Sequence, residues 1–291
     1  MNSKDFLEEV LTSDICPEGF EDLYLRFQSY QRYALETLKE VHRLCEENGI
    51  RYQLAYGSLI GAIRDKGQIP WDYDVDIFIP YEDKNKMLDV LKNDLNSKFY
   101  AYCPEIDPAC DHTLMRISPV GFHSDAIHVD VFYVMALSND IEERISAISN
   151  INILFSARAV KKANIFLEAR RSKRLALRGL SKKIKYLFIS QKRAEEEYDR
   201  RCRQYRLEET DYCAPATIDG EKCIYLTKNL WNTEIVELPT GAFRITKDYD
   251  KTLRQYYGDY MKIPPLEDRL RELRGSLMKI EYYCKASASD C

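Results

Sequence analysis

The spacing of apolar residues along the first half of the chain changes between the period of a helix and that of a strand. Between residues 30 and 48 they recur three or four positions apart, and Asn48-Gly49 is a typical helix end. Runs of β-branched and aromatic residues predict strands. In order, the pattern predicts a helix over 30–48, a strand over 50–55, a short helix after residue 58, a strand over 74–79 and a helix over 82–95.

Two further strands are predicted before residue 138, over 113–117 and 126–134. Alternation along the second strand places His128, Asp130 and Phe132 on one face. Later in the chain, the pattern predicts a helix over 195–206, short strands over 223–226, 235–239 and 241–245, and a helix over 249–260 that Gly258 ends.

Composition and charge exclude several classes of protein. The net charge of −4 gives no reason to expect a nucleic-acid partner. Nine cysteines without CxxC or other close spacing argue against a disulfide scaffold or a zinc site and suit a reducing cytoplasm. The first residues are acidic where a signal peptide needs an apolar run, and no segment approaches the ~20 apolar residues of a membrane span. We therefore expect a cytoplasmic protein whose membrane contacts are peripheral.

Candidate chemistry is concentrated between residues 56 and 79. Alternation along the predicted strand places Asp74 and Asp76 on one face, roughly 6–7 Å apart, where two ionised carboxylates repel each other. A divalent cation removes that repulsion, and oxygen ligands favour Mg²⁺ or Mn²⁺. Upstream, Gly57 and Ser58 offer a bare backbone and a hydroxyl to a phosphate. Arg64 and Lys66 offer cationic partners for phosphate oxygens.

This stretch resembles the LicD family of phosphotransferases within the nucleotidyltransferase superfamily. The resemblance lies in Gly-Ser-x-x-Gly-Ala-x-Arg, beginning at Gly57, and in Ile-Pro-Trp-Asp-x-Asp-x-Asp, ending at Asp76. The form Trp-Asp-Tyr-Asp-Val-Asp is similar to the fukutin-related branch, which transfers ribitol phosphate, whereas bacterial members usually carry Asp at the position of Tyr73. The resemblance covers residues 30–135 and 220–266. It implies an α+β fold, with a nucleotidyltransferase-like mixed β-sheet flanked by helices.

The resemblance also implies the roles of the site residues. A His-x-Asp strand closes the metal site in this family, which matches Asp130, the third ligand or the base for the acceptor. His128 and Arg116 have a second interpretation, as an ordinary hydrogen-bonding group and a solvated Arg. We predict catalytic roles for Asp72, Asp74, Asp76 and Asp130, metal binding by Asp74, Asp76 and Asp130, and phosphate or substrate binding by Gly57, Ser58, Arg64, Lys66, Arg116 and His128.

Domain boundaries follow from the resemblance and from changes in composition. We predict an N-terminal helical extension (1–29), a catalytic core (30–137), a basic helical insertion (138–210), the C-terminal part of the catalytic domain (211–266) and a C-terminal tail (267–291). Because the tail is charged and then rich in Ser and Ala, we expect it to be partly disordered.

Residues 158–193 contain thirteen Lys or Arg against one acid, Glu168. Apolar residues recur there at helical spacing, which suits a basic amphipathic helix on an anionic membrane or on a polyanionic acceptor. A solvated helix that packs its apolar stripe on the core is the alternative. RNA is a poorer partner, because the segment has few aromatic residues for stacking.

The resemblance implies a magnesium-dependent transferase. The donor would be a CDP-activated alcohol such as CDP-choline or a CDP-polyol, and the acceptor a glycan or lipid-linked glycan of a teichoic acid, capsule or lipopolysaccharide precursor. Tyr73 leaves the choice between phosphocholine and ribitol phosphate open, since an aromatic ring there would stack on a base or contact choline. Two other hypotheses are a nucleotidyltransferase that acts on a nucleoside triphosphate and a non-catalytic scaffold of a glycan-assembly complex.

Overall fold

The computed structural model describes residues 1–108, 110, 112–162, 190–218 and 223–289. Within them the strands are β1 (Gln53–Leu54), β2 (Val75–Pro80), β3 (Phe99–Tyr102), β4 (Met115–Pro119), β5 (Val129–Leu137), β6 (Tyr212–Pro215), β7 (Tyr225–Leu226), β8 (Thr233–Leu238) and β9 (Gly241–Thr246). The α-helices are α1 (Ser3–Leu11), α2 (Phe20–Glu47), α3 (Tyr56–Ile60), α4 (Lys84–Asn93), α5 (Ile141–Lys162), α6 (Gln191–Cys202), α7 (Thr227–Leu230), α8 (Tyr249–Tyr257) and α9 (Leu266–Ser289).

The described strands form a mixed central sheet and a separate hairpin. The sheet follows the order β1-β2-β5-β4-β3, and β6 pairs with the last part of β5 and with β7. Strands β2 and β5 run parallel, and the other pairs of this sheet are antiparallel. The hairpin β8-β9 lies beside β1. The prediction of an α+β fold with helices around a mixed sheet is confirmed.

Helix α2 is longer than the sequence pattern predicted. Phe20, Tyr24 and Phe27 extend its buried face at three- and four-residue spacing, so the helix begins at Phe20 and crosses the predicted boundary at residue 29. The strand predicted over 50–55 is shorter in the structure, since only Gln53 and Leu54 form β1. The side chains of α2 join those of β2, β4 and β5 in one hydrophobic core.

The expectation of a partly disordered C-terminal tail is wrong for residues 266–289, which form helix α9. Its buried residues recur at helical spacing and belong to the same core as α2; they are Leu270, Leu273, Leu277 and Ile280. Charged residues between these positions, and the Ser and Ala residues that follow, hide this stripe in the overall composition of the segment. The buried stripe gives α9 the apolar contact that a helix needs for stability.

The two ends of the described chain meet beside the motif region. Arg269 of α9 lies 2.6 Å from Glu9 of α1 and 5.1 Å above the ring of Trp71. Phe6 of α1 packs on the same ring, with centroids 5.4 Å apart. Helices α1 and α9 therefore hold the loop that leads into β2.

Helices α5 and α6 pack against each other and flank the basic segment. Residues 163–189 of that segment lie outside the described residues, so the predicted amphipathic helix stays a prediction. In the described part of the chain, every helix is too short or too polar to span a bilayer.

Candidate active site

The motif folds as a helix that changes its winding and then turns back. Helix α3 continues into a π-helical turn over Gly61–Asp65, and Lys66 follows in the left-handed conformation with φ 56°. A Cβ at Gly61 would lie 2.5 Å from the carbonyl oxygen of Gly67, so the close approach of the two backbones requires glycine. The turn then leads through Asp72 into β2.

Hydrogen bonds within this loop bring the predicted phosphate-binding residues to the carboxylates. The backbone N–H of Asp76 donates to Ser58 Oγ at 2.9 Å. The N–H of Asp74 donates to Asp72 Oδ1 at 3.1 Å, and Asp72 Oδ2 lies against Gly57. Five of the predicted site residues are thus gathered at the start of β2.

Strand register brings the third predicted carboxylate to the same place. Asp76 and Asp130 are direct neighbours on the parallel strands β2 and β5, and Arg116 is the neighbour of Asp130 on β4. Arg116 Nε donates to Asp130 Oδ1 at 2.8 Å, and His128 Nε2 lies 3.3 Å from Asp130 Oδ2. Residues at matching register face the same side of a sheet, so these side chains form one row across three strands.

The charges in the site are unevenly balanced. Burial is the main cause that raises the pKa of Asp72, and the negative charge of Asp74 adds to it. The same two causes, in the same order, raise the pKa of Glu272 on α9. At Asp130 burial opposes ionisation, but the charge of His128 and the contacts with Arg116 outweigh it and lower the pKa. Negative charge therefore accumulates around Asp74, whereas Arg116 and His128 already balance the negative charge of Asp130.

The carboxylates of this site suit a divalent cation. Among the described residues, however, no three side chains of His, Cys, Asp or Glu already lie close enough together to hold a metal ion. Carboxylate oxygens are the hard ligands that Mg²⁺ prefers. Asp74 and Asp76 carry the charge that a cation would relieve. Asp130 makes one contact through each oxygen, and a carboxylate has about four acceptor positions, so it retains room for a ligand bond. The metal-binding role of these three residues stays a prediction.

A cavity of about 30 Å³ lies on the other side of the carboxylates, towards the β8-β9 hairpin. Its lining includes Gly57, Ser58, Asp72 and Asp74 together with apolar side chains of α2 and β9. It is large enough for a water molecule but not for a substrate. A substrate would therefore approach the carboxylates from the solvent side.

The structure gives Arg64 and Lys66 different surroundings from those predicted. The Arg64 guanidinium lies 2.8 Å from Asp65, donates to the carbonyl of Tyr260 at 3.2 Å and covers Trp71. Only 7% of its side chain is exposed, because the adjacent acid engages it within the turn. Lys66 is exposed at the end of that turn. Their phosphate-binding roles stay predictions.

The expectation that Tyr73 would stack on a base or contact choline is not supported. Its side chain is 2% exposed, and Lys279 of α9 lies 5.5 Å from the centre of its ring. Tyr73 alternates with Asp72 and Asp74 and therefore points into the core.

Sequence reasoning missed two acidic residues of the site. Asp125 accepts from Arg116 Nη1 at 2.7 Å and so holds the second arm of that guanidinium. Glu272 approaches Asp72 and Asp74 from helix α9. Asp125 could have been found from the sequence, because it is an acidic residue directly before the strand with the His-x-Asp pattern. The residues around Glu272 gave no indication that it lies near the site.

Comparison with known proteins finds a family that this part of the chain resembles. Residues 49–171 match the domain described as LicD/FKTN/FKRP, nucleotidyltransferase domain. The matched segment is shorter than half of the chain, and it includes all ten predicted site residues. Together with the relatives below, this likeness supports a LicD-like phosphotransferase.

Two similar proteins extend the comparison beyond this segment. It is similar to the lipopolysaccharide cholinephosphotransferase LicD of Haemophilus influenzae, with 27% identity over 260 residues, 84% of this chain and 95% of that protein. It is also similar to the ribitol 5-phosphate transferase FKRP of Homo sapiens, with 52% identity over 52 residues, 18% of this chain and 10% of that protein. The first likeness extends over most of both chains, and the second is confined to a short segment.

Proposed function

We propose that this LicD-like protein transfers a phospho-alcohol from a CDP-activated donor to a hydroxyl of a cell-surface glycan and releases CMP. The observation that carries the proposal is the row of Asp76, Asp130 and Arg116 across three strands, with Ser58 and Asp74 at its edge. The likeness to a lipopolysaccharide cholinephosphotransferase, which extends over 84% of this chain, supports phosphocholine as the group transferred and a lipopolysaccharide-type glycan as the acceptor.

Each residue of the row has a distinct task in this proposal. Asp74, Asp76 and Asp130 would hold Mg²⁺ or Mn²⁺, which supplies neutralisation of the diphosphate charge when bound. The Ser58 hydroxyl and the backbone at Gly57 orient the phosphate, because both lie directly beside these carboxylates. Arg116 keeps Asp130 in position through its contact at 2.8 Å.

Asp72 is the better placed base for the acceptor. Asp130 is paired with Arg116 and His128, which stabilise its charged form and weaken it as a base. Asp72 accepts a backbone hydrogen bond at the rim of the same site. The acceptor oxygen would give its proton to Asp72 and attack the phosphorus that carries the alcohol, while the bond from that phosphorus to the CMP oxygen breaks.

The cytoplasmic face of a membrane is the site of action that this proposal favours. A lipid-linked glycan acceptor there would give the basic residues 158–193 a role in peripheral attachment.

The proposal is tested with purified protein, Mn²⁺ or Mg²⁺ and a panel of CDP-choline, CDP-ribitol, CDP-glycerol, CTP and ATP. We expect one CDP-alcohol to raise the melting temperature only when metal is present, because a ligand that binds the native state stabilises it. Asp74→Ala should remove this shift, whereas Asp89→Ala, which changes an exposed carboxylate on α4, should retain it.

The reaction products separate the alternatives. Release of CMP from a CDP-alcohol in the presence of a glycan acceptor supports the transferase. Release of pyrophosphate from a nucleoside triphosphate would contradict it in favour of a nucleotidyltransferase. An unchanged melting temperature with every metal and nucleotide would instead support a scaffold.

A further inference from the structure

Five aromatic rings lie together at one end of the carboxylate row. We call this group the aromatic wall; its members are Tyr56, Phe78, Phe132, Tyr256 and Tyr257. The ring of Tyr56 lies 5.0 Å from Phe78, 5.0 Å from Phe132 and 5.4 Å from Tyr256, measured between centroids. Tyr256 and Tyr257 follow at 4.6 Å. The wall thus combines rings from α3, β2, β5 and α8.

Strand geometry fixes the distance from the wall to the proposed metal ligands. Phe78 and Phe132 are register partners on β2 and β5, two residues beyond the partners Asp76 and Asp130. They therefore face the same side of the sheet, about 6.8 Å further along it. Phosphocholine separates its phosphorus from its nitrogen by one oxygen and two carbons, which is a similar reach.

The wall is open to solvent at its outer end. Tyr257 is 41% exposed, and Tyr56, Phe132 and Tyr256 are half-buried. The cavity beneath the rings is only about 10 Å³, which is too small for a ligand group. A ligand would therefore lie on the solvent side of the rings, beside Asp76.

The backbone at Tyr56 is held in an unusual conformation. Its φ of 44° lies in the left-handed region, which a bulky aromatic residue rarely adopts. Such strain persists only where the surroundings fix it, and it is often found at functional sites. Here it places the Tyr56 ring in the middle of the wall, directly before Gly57 and Ser58. A wall that served only as core would not need a strained residue beside the phosphate-binding turn.

Electrostatics make the outer end of the wall attractive to a cation. Asp76 and Asp130 lie two residues before Phe78 and Phe132 on the same strands, so their carboxylates place negative charge beside the wall. Aromatic faces attract cations through the ring quadrupole, and they suit quaternary ammonium groups, which offer no N–H for a hydrogen bond. A polyol phosphate would instead need hydrogen-bonding partners for its hydroxyls.

We propose that the aromatic wall binds the quaternary ammonium of phosphocholine and so selects a choline-bearing donor over a polyol donor. This inference rests on the proposed function, since it places the alcohol end of the donor next to the carboxylates that act on its phosphate. Tyr257 makes the outer contact, and Tyr56 and Phe132 form the surface behind it.

The test compares two donors that differ only in charge. One is CDP-choline, and the other is its neutral isostere, in which a carbon replaces the nitrogen to give the 3,3-dimethylbutyl ester. We expect the wild-type protein to prefer CDP-choline by about tenfold in kcat/KM, which is the range of a desolvated cation–π contact. Tyr257→Leu should lose about tenfold with CDP-choline and less than twofold with the isostere. Tyr257→Phe keeps the ring and should retain the preference.

Several results would overturn the inference while the proposed function stands. One is equal turnover of the two donors by the wild-type protein, and another is an equal loss with both donors in Tyr257→Leu. A parallel loss of CMP affinity would show that Tyr257 stacks on the base instead. Efficient transfer from CDP-ribitol alone would assign the wall to another task.

Calorimetry with phosphocholine and with 3,3-dimethylbutyl phosphate separates failure of the inference from failure of the proposed function. If no CDP-alcohol is turned over, the proposed function fails, but binding still tests the wall. Phosphocholine should bind about tenfold more tightly than the neutral phosphate, and Tyr257→Leu should remove the difference. Equal binding of the two phosphates would overturn the inference.

Discussion

Arg116 holds two carboxylates at once, one on each side of its guanidinium. It reaches Asp130 at 2.8 Å and Asp125 at 2.7 Å, and its side chain is only 12% exposed. Removing one partner of a buried ion pair leaves an uncompensated charge, which costs more than the pair itself contributes. The sequence offered this Arg as a phosphate ligand, but its contacts show that it also maintains the row of side chains.

Arg116→Met should lower the free energy of unfolding by roughly 3–5 kcal/mol, because it leaves Asp125 and Asp130 without their cation. Urea denaturation measures this change. Arg26→Met is the matched control, since Arg26 pairs with Glu281 but is 61% exposed, and it should cost less than about 1 kcal/mol. Equal effects of the two substitutions would contradict the structural role of Arg116.

Two glycines should respond to alanine in opposite directions. Gly61→Ala places a Cβ 2.5 Å from the backbone oxygen of Gly67, so the turn must shift, and we expect a loss of about 1–3 kcal/mol. Gly275 lies in helix α9 with no atom within 4 Å of the added Cβ. Gly275→Ala should therefore stabilise the protein by up to about 1 kcal/mol. Thermal melting of both variants measures the difference, and a harmless Gly61→Ala would show that the turn tolerates a side chain.

At the scale of elements, helix α9 connects the core to the candidate active site. One face buries four apolar side chains, and neighbouring positions carry Glu272 and Lys279 to Asp74 and Tyr73. A shift of this helix would move both the core stripe and the charges beside the carboxylates. Stability and activity are therefore coupled through α9.

Leu273→Ala should destabilise the protein by about 2–5 kcal/mol, because Leu273 is fully buried and its loss leaves a cavity in the core. Met278 lies on the same helix but is 73% exposed. Met278→Ala should change the free energy of unfolding by less than about 0.5 kcal/mol. Denaturant titration of both variants tests whether α9 packs on the core, and two equally small effects would exclude that packing.

Elements and site residues differed in how far the sequence could predict them. Period-two alternation was enough to place Asp76 and Asp130 on one face, because strand geometry leaves little freedom. It could not show that Asp65 would engage Arg64, since that choice depends on packing against Trp71 and Tyr260. Glu272 reaches the site only through the path of α9 across the fold, which no local pattern encodes.

At the scale of the whole molecule, charge is distributed unevenly. The chain has a net charge of −4, yet residues 158–193 carry thirteen of its basic residues. A basic segment on an otherwise acidic protein would orient the molecule on an anionic surface. This orientation belongs to the whole chain rather than to one element.

Replacing Lys182, Lys183 and Lys185 with Gln should weaken binding to phosphatidylserine vesicles by roughly 100-fold, at about 1 kcal/mol for each charge. Sedimentation with the vesicles at low and high salt measures the effect, which salt should suppress. Replacing the exposed Lys4, Lys92 and Lys98 with Gln changes the net charge equally and should have little effect. If both triple variants bind alike, the segment has no special role at the membrane.

The contacts of Trp71 with Phe6 and Arg269 have a consequence during protein synthesis. The loop that carries Asp72 is translated before helix α9, which is one of the two helices that hold it. An unfinished chain therefore has the motif without the support that positions it. We therefore expect an incomplete chain that stops before α9 to lack transferase activity.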